Sequence, residues 1–438
     1  MLSEDKPKET NWVMWVIIAV VIIVIIALIG WWLYDNDSSS SDTSSDAGPA
    51  LTTANVKAAA KTATRPTGSA SIGTNPSVNV GTMPNADPKR IQVRPATVSV
   101  KKMAKGRALT STESPTFKAA ASNAYADQPL TGGQIASAYG PSTKANSSPK
   151  IAIIVCYNYD GLQADFNAFR SANGLPPLTL TIHKMAATTA SDDGWAQEAC
   201  LDTQYASLFA NNITVVFAAS ASMADLHAAV SYAVNTVKPS IVSMSWGIDE
   251  SYVAQANMQT MFESLFATPG IIFCASSGDS FTVSYPSSSP NVISVGGTTL
   301  NMVGNKRAGE YPWYDVNLSG SGHGISAIFK KPAYQVANTS AYRSTPDLCL
   351  IANTPNETGV EVVYQGSAYG IAGTSLSCPL FAGLVAAGLS QRTTPITQQR
   401  LMTDMYAVVN NNTTPFNEAT DGIGAISNGF ISYLAALQ

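Results

Sequence analysis

A chain of 438 residues with 45% hydrophobic side chains has enough apolar material for one large core. Its net charge of −4 is unevenly spread: residues 1–125 carry 13 Lys/Arg against 9 Asp/Glu, whereas residues 126–438 carry 12 against 20, and so acidic a C-terminal part excludes nucleic acid as an expected partner. Five cysteines without a CxxC pair or zinc spacing exclude a metal site of that kind and a dense disulfide framework; at most two bridges can form, and three of the five sit in apolar stretches as small buried hydrophobes.

Residues 1–11 read as a short tail. From Trp12 to Tyr34 no charge interrupts a run of Val, Ile, Ala and Leu, with Trp12 and Trp15 at one end and Trp31, Trp32 and Tyr34 at the other. As a helix this segment 12–34 is about 35 Å long, enough for a hydrocarbon core of about 30 Å, and its aromatic ends suit the two interfaces. A cleaved signal peptide fits less well, because its apolar region is shorter and no small-residue cleavage site precedes Trp31. Lys6 and Lys8 before the span, against Asp35 and Asp37 after it, put the N-terminus in the cytoplasm and the bulk of the chain outside, in a lumen or on an envelope surface. Residues 35–125 are Ser, Thr, Ala, Pro and Lys with little apolar area to offset chain ordering, and read as a disordered, flexible stalk. Within it Lys89–Arg107 holds seven basic residues and no acidic one; a solvated linker is preferred there over a processing site or an anionic-surface contact.

Residues 126–438 form the globular domain. Apolar runs alternate with helical-period stretches, the pattern of βαβ units, so the expected fold is α/β with a doubly wound, mostly parallel sheet and helices on both faces. Expected strands are 151–156, 178–183, 213–219, 241–245, 270–276 and 292–296. Expected helices are 161–173, 195–210, 223–236, 252–267, 375–392 and 396–408. In open sheets of this type, ligands bind beyond the carboxyl ends of the strands.

Ser375, in Gly373-Thr374-Ser375 before an apolar helix, stands at a helix N-terminus, where free N–H groups and the helix dipole stabilise developing negative charge; Pro379 is expected in the first turn, where it costs no hydrogen bond. An ordinary helix cap is the bland alternative. Asp279, in CASSGDS just past a strand, reads as a turn former or as a carboxylic acid kept protonated to donate to an oxyanion. Glu198 and Asp202 are four apart on a helix that also carries Trp195, Leu201, Tyr205 and Leu208; they form either a solvated face or, turned into a cleft, a proton-sharing pair. His183, His227 and His323, the chain's three histidines, are not placed for a Ser-His-Asp triad and read as structural.

Together these residues resemble the sedolisin family of serine-carboxyl peptidases, similar to subtilisins in fold. The resemblance runs in order through LTGGQIASAYG (Leu130–Gly140), IAIIVCYNYDGLQADFNAFR, the WxxExxLD helix, IVSMSWGIDE (Ile241–Glu250), ASSGDS, YPSSSPNVISVGGTTL (Tyr285–Leu300), GSGHGISAIFKKPAYQ (Gly320–Gln335), RSTPDL (Arg343–Leu348) and GTSLSCPLFAGL. It implies Glu198 as base, Asp202 as the acid behind it, Asp279 as oxyanion-stabilising acid and Ser375 as nucleophile, acting on polypeptides in acid, as an endopeptidase or a tripeptidyl-peptidase. The family's folded propeptide has no counterpart here, where the low-complexity stalk stands. Its calcium loop is expected to be missing or weakened: FNEATDGIGAISNG (Phe416–Gly429) leaves Glu418 and little else, no ligand is assigned, and no other cofactor is expected. A non-catalytic domain of the same fold, used for binding or attachment, is the alternative reading. Sequons at Asn146, Asn212, Asn317, Asn338, Asn356, Asn411 and Asn412 are compatible with a glycosylated, non-cytosolic domain.

Overall fold

The run Ile151–Cys156 has no charged or hydroxyl side chain because it is a strand buried along its whole length, covered on both faces, and Ile213–Ala218 and Ile241–Met244 are buried end to end likewise, with one hydroxyl residue each, Thr214 and Ser243. The computed structural model describes residues 93–95, 99–102, 128–140, 148–186, 191–256, 258–314, 319–409, 416–417, 425–426 and 430–437. All lie in one unit, Val80–Gln438. The expected span 12–34, the tail and most of the stalk fall outside the described residues, as does most of the segment 416–429 examined for calcium. Among the described residues no helix is long and apolar enough to cross a membrane.

In chain order the elements are β1 (Arg94–Pro95), β2 (Ser99–Lys102), α1 (Gly132–Tyr139), β3 (Ile151–Cys156), α2 (Leu162–Ala172), β4 (Thr181–Lys184), α3 (Asp193–Ala206), β5 (Ile213–Ala218), α4 (Met223–Tyr232), β6 (Ile241–Met244), β7 (Trp246–Asp249), α5 (Glu250–Gln255) and α6 (Glu263–Phe266). There follow β8 (Ile272–Ser276), β9 (Ser284–Tyr285), β10 (Ile293–Val303), β11 (Lys306–Pro312), β12 (Gly324–Lys330), β13 (Tyr342–Thr345), β14 (Leu348–Asn353), β15 (Val360–Tyr364), β16 (Ser367–Ala372), α7 (Thr374–Leu389), α8 (Gln398–Val409), β17 (Phe416–Asn417), β18 (Ala425–Ile426) and α9 (Phe430–Ala436).

The main sheet has ten strands in the order β17-β18-β14-β10-β8-β6-β3-β5-β4, with β11 added to β10. From β14 to β4 every pairing is parallel. The chain enters at β3, visits β5 and β4 on one side, then crosses to β6 and runs outward on the other, so the order reverses beside β3 and β6, where a crevice opens at the carboxyl ends. The doubly wound sheet expected from the sequence is therefore present.

Boundaries differ where another contact takes the backbone. The strand expected at 178–183 begins only at Thr181, because the Gln163 side chain donates to the Leu178 carbonyl and accepts from the Leu180 N–H. The single helix expected over 252–267 is two short ones: Val253, Ala256, Met258, Phe262 and Phe266 are all buried, and the step from 256 to 258 breaks helical spacing. The helix expected to 236 is regular to Tyr232 and ends in a wider turn closed by Lys238, at φ 52°. Within the expected stalk, β1 pairs with β7 and β2 with β16.

Two helices lie closest to the crevice. α3 is capped by the Asp192 side chain, which accepts from the Trp195 N–H. α7 is buried from Thr374 to Gly388 and packs across α3. A Cβ on Gly383 would lie 2.6 Å from the Ala206 carbonyl oxygen, so the absence of a side chain sets how near the helices come.

Candidate active site

Ser375 sits in the first turn of α7, where the leading N–H groups have no intrahelical acceptor. Its residue is wholly buried, and its hydroxyl donates to the Ser245 carbonyl at 3.2 Å. Pro379 lies beyond the first turn, as the sixth residue of the helix, which corrects the sequence expectation. Having no N–H, it cannot serve the Ser375 carbonyl as a helical donor, and the Ser245 hydroxyl approaches that oxygen at 3.4 Å.

Glu198 and Asp202 are both completely buried on the face of α3 turned toward α7. The Ser245 hydroxyl donates to Asp202 Oδ1 at 2.7 Å. Both Glu198 oxygens lack a protein partner of regular hydrogen-bond geometry, yet the Ser375 hydroxyl and the carboxyls of Asp202 and Asp279 are all near enough to bear on its ionisation. Burial pushes the Glu198 pKa well up, and the Asp202 and Asp279 charges push it further, against a lowering by the Ser375 hydroxyl. Burial also raises Asp202, opposed by the Ser245 hydrogen bond. Both carboxyls are thus held above the usual range, and so close a pair takes up and releases protons as one unit.

Asp279 follows β8 at the carboxyl edge of the sheet. Its Oδ1 accepts from the Thr374 N–H at 2.8 Å and the Thr374 hydroxyl at 2.7 Å, while Oδ2 is buried without a partner in the protein. Burial lifts its pKa to about 7, even though Thr374 works the other way. The Thr374 hydroxyl accepts from the Gly278 N–H at 3.2 Å, and the Gly320 N–H donates to the Asp279 carbonyl at 3.2 Å, which fixes the turn.

The four residues picked out in the sequence thus come together from three separate segments. Two positioning residues were not picked out: Ser245, 43 residues from Asp202 in the chain, and Thr374, 95 residues from Asp279. Ser245 had one available signal, its place at the carboxyl end of an expected strand. The histidines are engaged elsewhere: His183 with the Tyr232 hydroxyl, His227 edge-on to Phe262, and His323 with the Ser321 carbonyl. All five cysteines are buried and unbridged.

Residues 206–421 match the model of the subtilase family. Kumamolisin of Bacillus sp. (strain MN-32) is 34% identical over 247 residues, covering 50% of this chain and 44% of the relative. Sedolisin of Pseudomonas sp. (strain 101) is 30% identical over 304 residues, covering 61% and 51%. Xanthomonalisin of Xanthomonas sp. (strain T-22) is 28% identical over 305 residues, covering 56% and 37%. The chain therefore spans about half or less of the length of these relatives. A solved structure of Pseudomonas sedolisin, a serine-carboxyl proteinase complexed with two molecules of pseudo-iodotyrostatin, superposes with a TM-score of 0.63 at 24% identity, over 71% of this chain and 98% of that one; the likeness is one of fold.

Proposed function

Because the chain belongs to the sedolisin family, we propose that it is a membrane-anchored serine-carboxyl peptidase that hydrolyses polypeptides in acid, with Ser375, Glu198, Asp202 and Asp279 as its working set. The observation that carries this reading is the meeting of three buried carboxyls, each with its proton affinity raised by burial, at one helix-terminal hydroxyl.

In the acylation step Ser375 Oγ attacks the scissile carbonyl carbon. Its proton passes to Glu198 while the proton the pair already shares is taken up by Asp202, so the pair gains one proton without placing two on one carboxyl. The carbonyl oxygen becomes an oxyanion facing protonated Asp279 Oδ2 and the backbone N–H of Ser375. Collapse breaks the C–N bond, the leaving amine takes the proton back from Glu198, and water then hydrolyses the acyl-enzyme by the same route. Segment 12–34 holds the enzyme in a bilayer, with a short cytoplasmic tail and the catalytic domain on the outer or lumenal side.

One observation favours the second reading, a non-catalytic binding domain: Ser375, Glu198 and Asp202 are all without exposed surface. Assay of the full chain in detergent on a peptide library from about pH 3 to pH 8 separates the two. Cleavage that peaks in acid and is lost in Ser375→Ala and Glu198→Gln supports the peptidase; no cleavage at any pH, with no labelling of Ser375 by a phosphonate, supports the binding domain.

A further inference from the structure

The outward edge of β15 is closed largely by side chains. β15 pairs with β16 on one side. On the other, the Gly359 carbonyl accepts from the Leu130 N–H at 3.0 Å and the Glu361 N–H donates to the Leu130 carbonyl at 2.9 Å. Past that bridge the partners belong to helices. The Glu361 carbonyl accepts from the Tyr205 hydroxyl at 2.8 Å, the Val363 N–H donates to Gln204 Oε1 at 2.9 Å, and the Val363 carbonyl accepts from Gln204 Nε2 at 2.7 Å. At the turn the Gln365 N–H donates to Asp165 Oδ2 at 2.8 Å. The Gln204 amide therefore stands in for one residue of a neighbouring strand, with its acceptor and its donor both turned to Val363.

Gln204 is wholly buried, and with Tyr205 it lies in the last turn of α3. The first turn of the same helix is bonded to the same strand, since the Tyr364 hydroxyl donates to Asp193 Oδ1 at 2.9 Å. Gln204 stands about 200° round the helix from Asp202, so β15 grips α3 on one side while Glu198 and Asp202 face α7 on the other. The gripped strand continues through β16 into Gly373-Thr374-Ser375. A closed path of covalent and hydrogen bonds thus runs from the acid pair to the nucleophile.

We propose that Gln204 is a positioning residue for the acid pair: its two hydrogen bonds to Val363 set the rotation of α3 about its own axis and so aim Glu198 and Asp202 at Ser375. The catalytic consequence rests on the peptidase reading, and the clamp itself does not. Side chains reach about 5–6 Å from a helix axis, so a turn of about 10° displaces a carboxyl by about 1 Å, a misplacement that can cost about a hundredfold in rate.

The test compares Gln204→Glu, Gln204→Met and Tyr205→Phe in the full chain. A protonated glutamic acid keeps both functions of the amide, one oxygen accepting and one hydroxyl donating, and it loses the donor when it ionises. Methionine fills the space with neither. Hydrogen exchange is read first in a Ser375→Ala background, each variant against its parent at the same pH. Exchange at Val363 should be faster in Gln204→Met at every pH and in Gln204→Glu only as pH rises toward neutrality, with β5 unchanged as the control. In the Ser375 background, kcat relative to the parent should fall about tenfold or more at every pH in Gln204→Met, with little change in KM. Gln204→Glu should recover it in acid and lose it toward neutral pH, a recovery that a general loosening of the fold would not show. Tyr205→Phe, which leaves the Gln204 bonds in place, should lose less. Unchanged exchange at Val363 overturns the clamp, and changed exchange with undiminished kcat overturns the positioning. Should Gln204→Met fail to fold, Gln204→Glu decides alone, because a ratio of kcat to the parent that does not vary with pH overturns the positioning. If no form cleaves anything, the peptidase reading and the catalytic role fail together, and exchange still decides whether the clamp exists.

Discussion

At the scale of single residues, the two oxygens of Asp279 are inequivalent. Oδ1 is committed as an acceptor from Thr374, so a proton on the carboxyl resides on the unpartnered Oδ2. A pKa of about 7 keeps that proton in acid and releases it as pH rises through neutrality, and activity should fall with it. In Asp279→Asn the amide oxygen takes the Oδ1 position and the NH2 group takes the Oδ2 position. We therefore expect it to retain more activity than Asp279→Ala, which should lose on the order of a hundredfold or more in kcat as an oxyanion donor does. The asparagine variant's remaining rate should also lack the decline near pH 7 that Asp279 causes, and a pH–rate profile of all three forms checks both points. Ser245 makes a different prediction. Its hydroxyl stabilises ionised Asp202, so Ser245→Ala should raise the proton affinity of the carboxyl pair and move the acid limb of the profile to higher pH, a shift that mere loosening of the fold would not produce. Asp279 and Glu198/Asp202 were legible because each occupies a position a local pattern marks, a strand end or one face of a helix. Ser245 and Thr374 act through bonds to distant segments, and no local pattern marks those.

At the scale of elements, the site is a matter of how α3 and α7 cross. α3 carries Glu198 and Asp202, α7 carries Ser375, and Gly383 of α7 lies tight against the backbone of Ala206 in α3. Gly383→Ala would force a Cβ to within 2.6 Å of a backbone oxygen that cannot rotate away. The helices must part by a fraction of an ångström, and we expect a loss of about 1–3 kcal/mol in stability, as overpacking of a close-packed core costs. Because the change acts on the crossing of the two helices that carry the carboxyl pair and the hydroxyl, kcat should fall with little change in KM; thermal unfolding and steady-state kinetics on one preparation test both. The central strands and α7 were readable because burial on all sides leaves a largely apolar run, and α3 because its apolar residues recur at helical spacing. The hairpin β15–β16 was not, since its strands mix buried and half-buried residues without a single period and its turn depends on Gln365 and Gly366 at positive φ. β1 and β2 were less readable still. Their pairing is dictated by the edges that receive them, and a basic, low-complexity neighbourhood gives no apolar period to detect.

At the scale of the whole molecule, the buried acids reverse the usual dependence of stability on pH. Asp279 has a folded pKa of about 7 against an ordinary 3.8, and Glu198 and Asp202 are shifted in the same direction by burial. A carboxyl whose folded pKa is raised contributes stability fully present below its unfolded pKa, and that contribution is lost as pH rises through the folded value. For Asp279 the loss runs from about pH 4 to about pH 7 and amounts to at most about 4 kcal/mol, at roughly 1.4 kcal/mol per unit. We therefore expect the melting temperature to be highest in acid and to decline toward neutral pH. Asp279→Asn, which cannot ionise, should flatten the decline between pH 4 and pH 7, leaving the part due to the Glu198–Asp202 pair. Calorimetry of both forms across that range decides it, and a wild-type melting temperature that climbs from pH 4 to pH 7 would mean that these carboxyls are ionised in the folded chain and cannot hold the protons that the proposed chemistry assigns them.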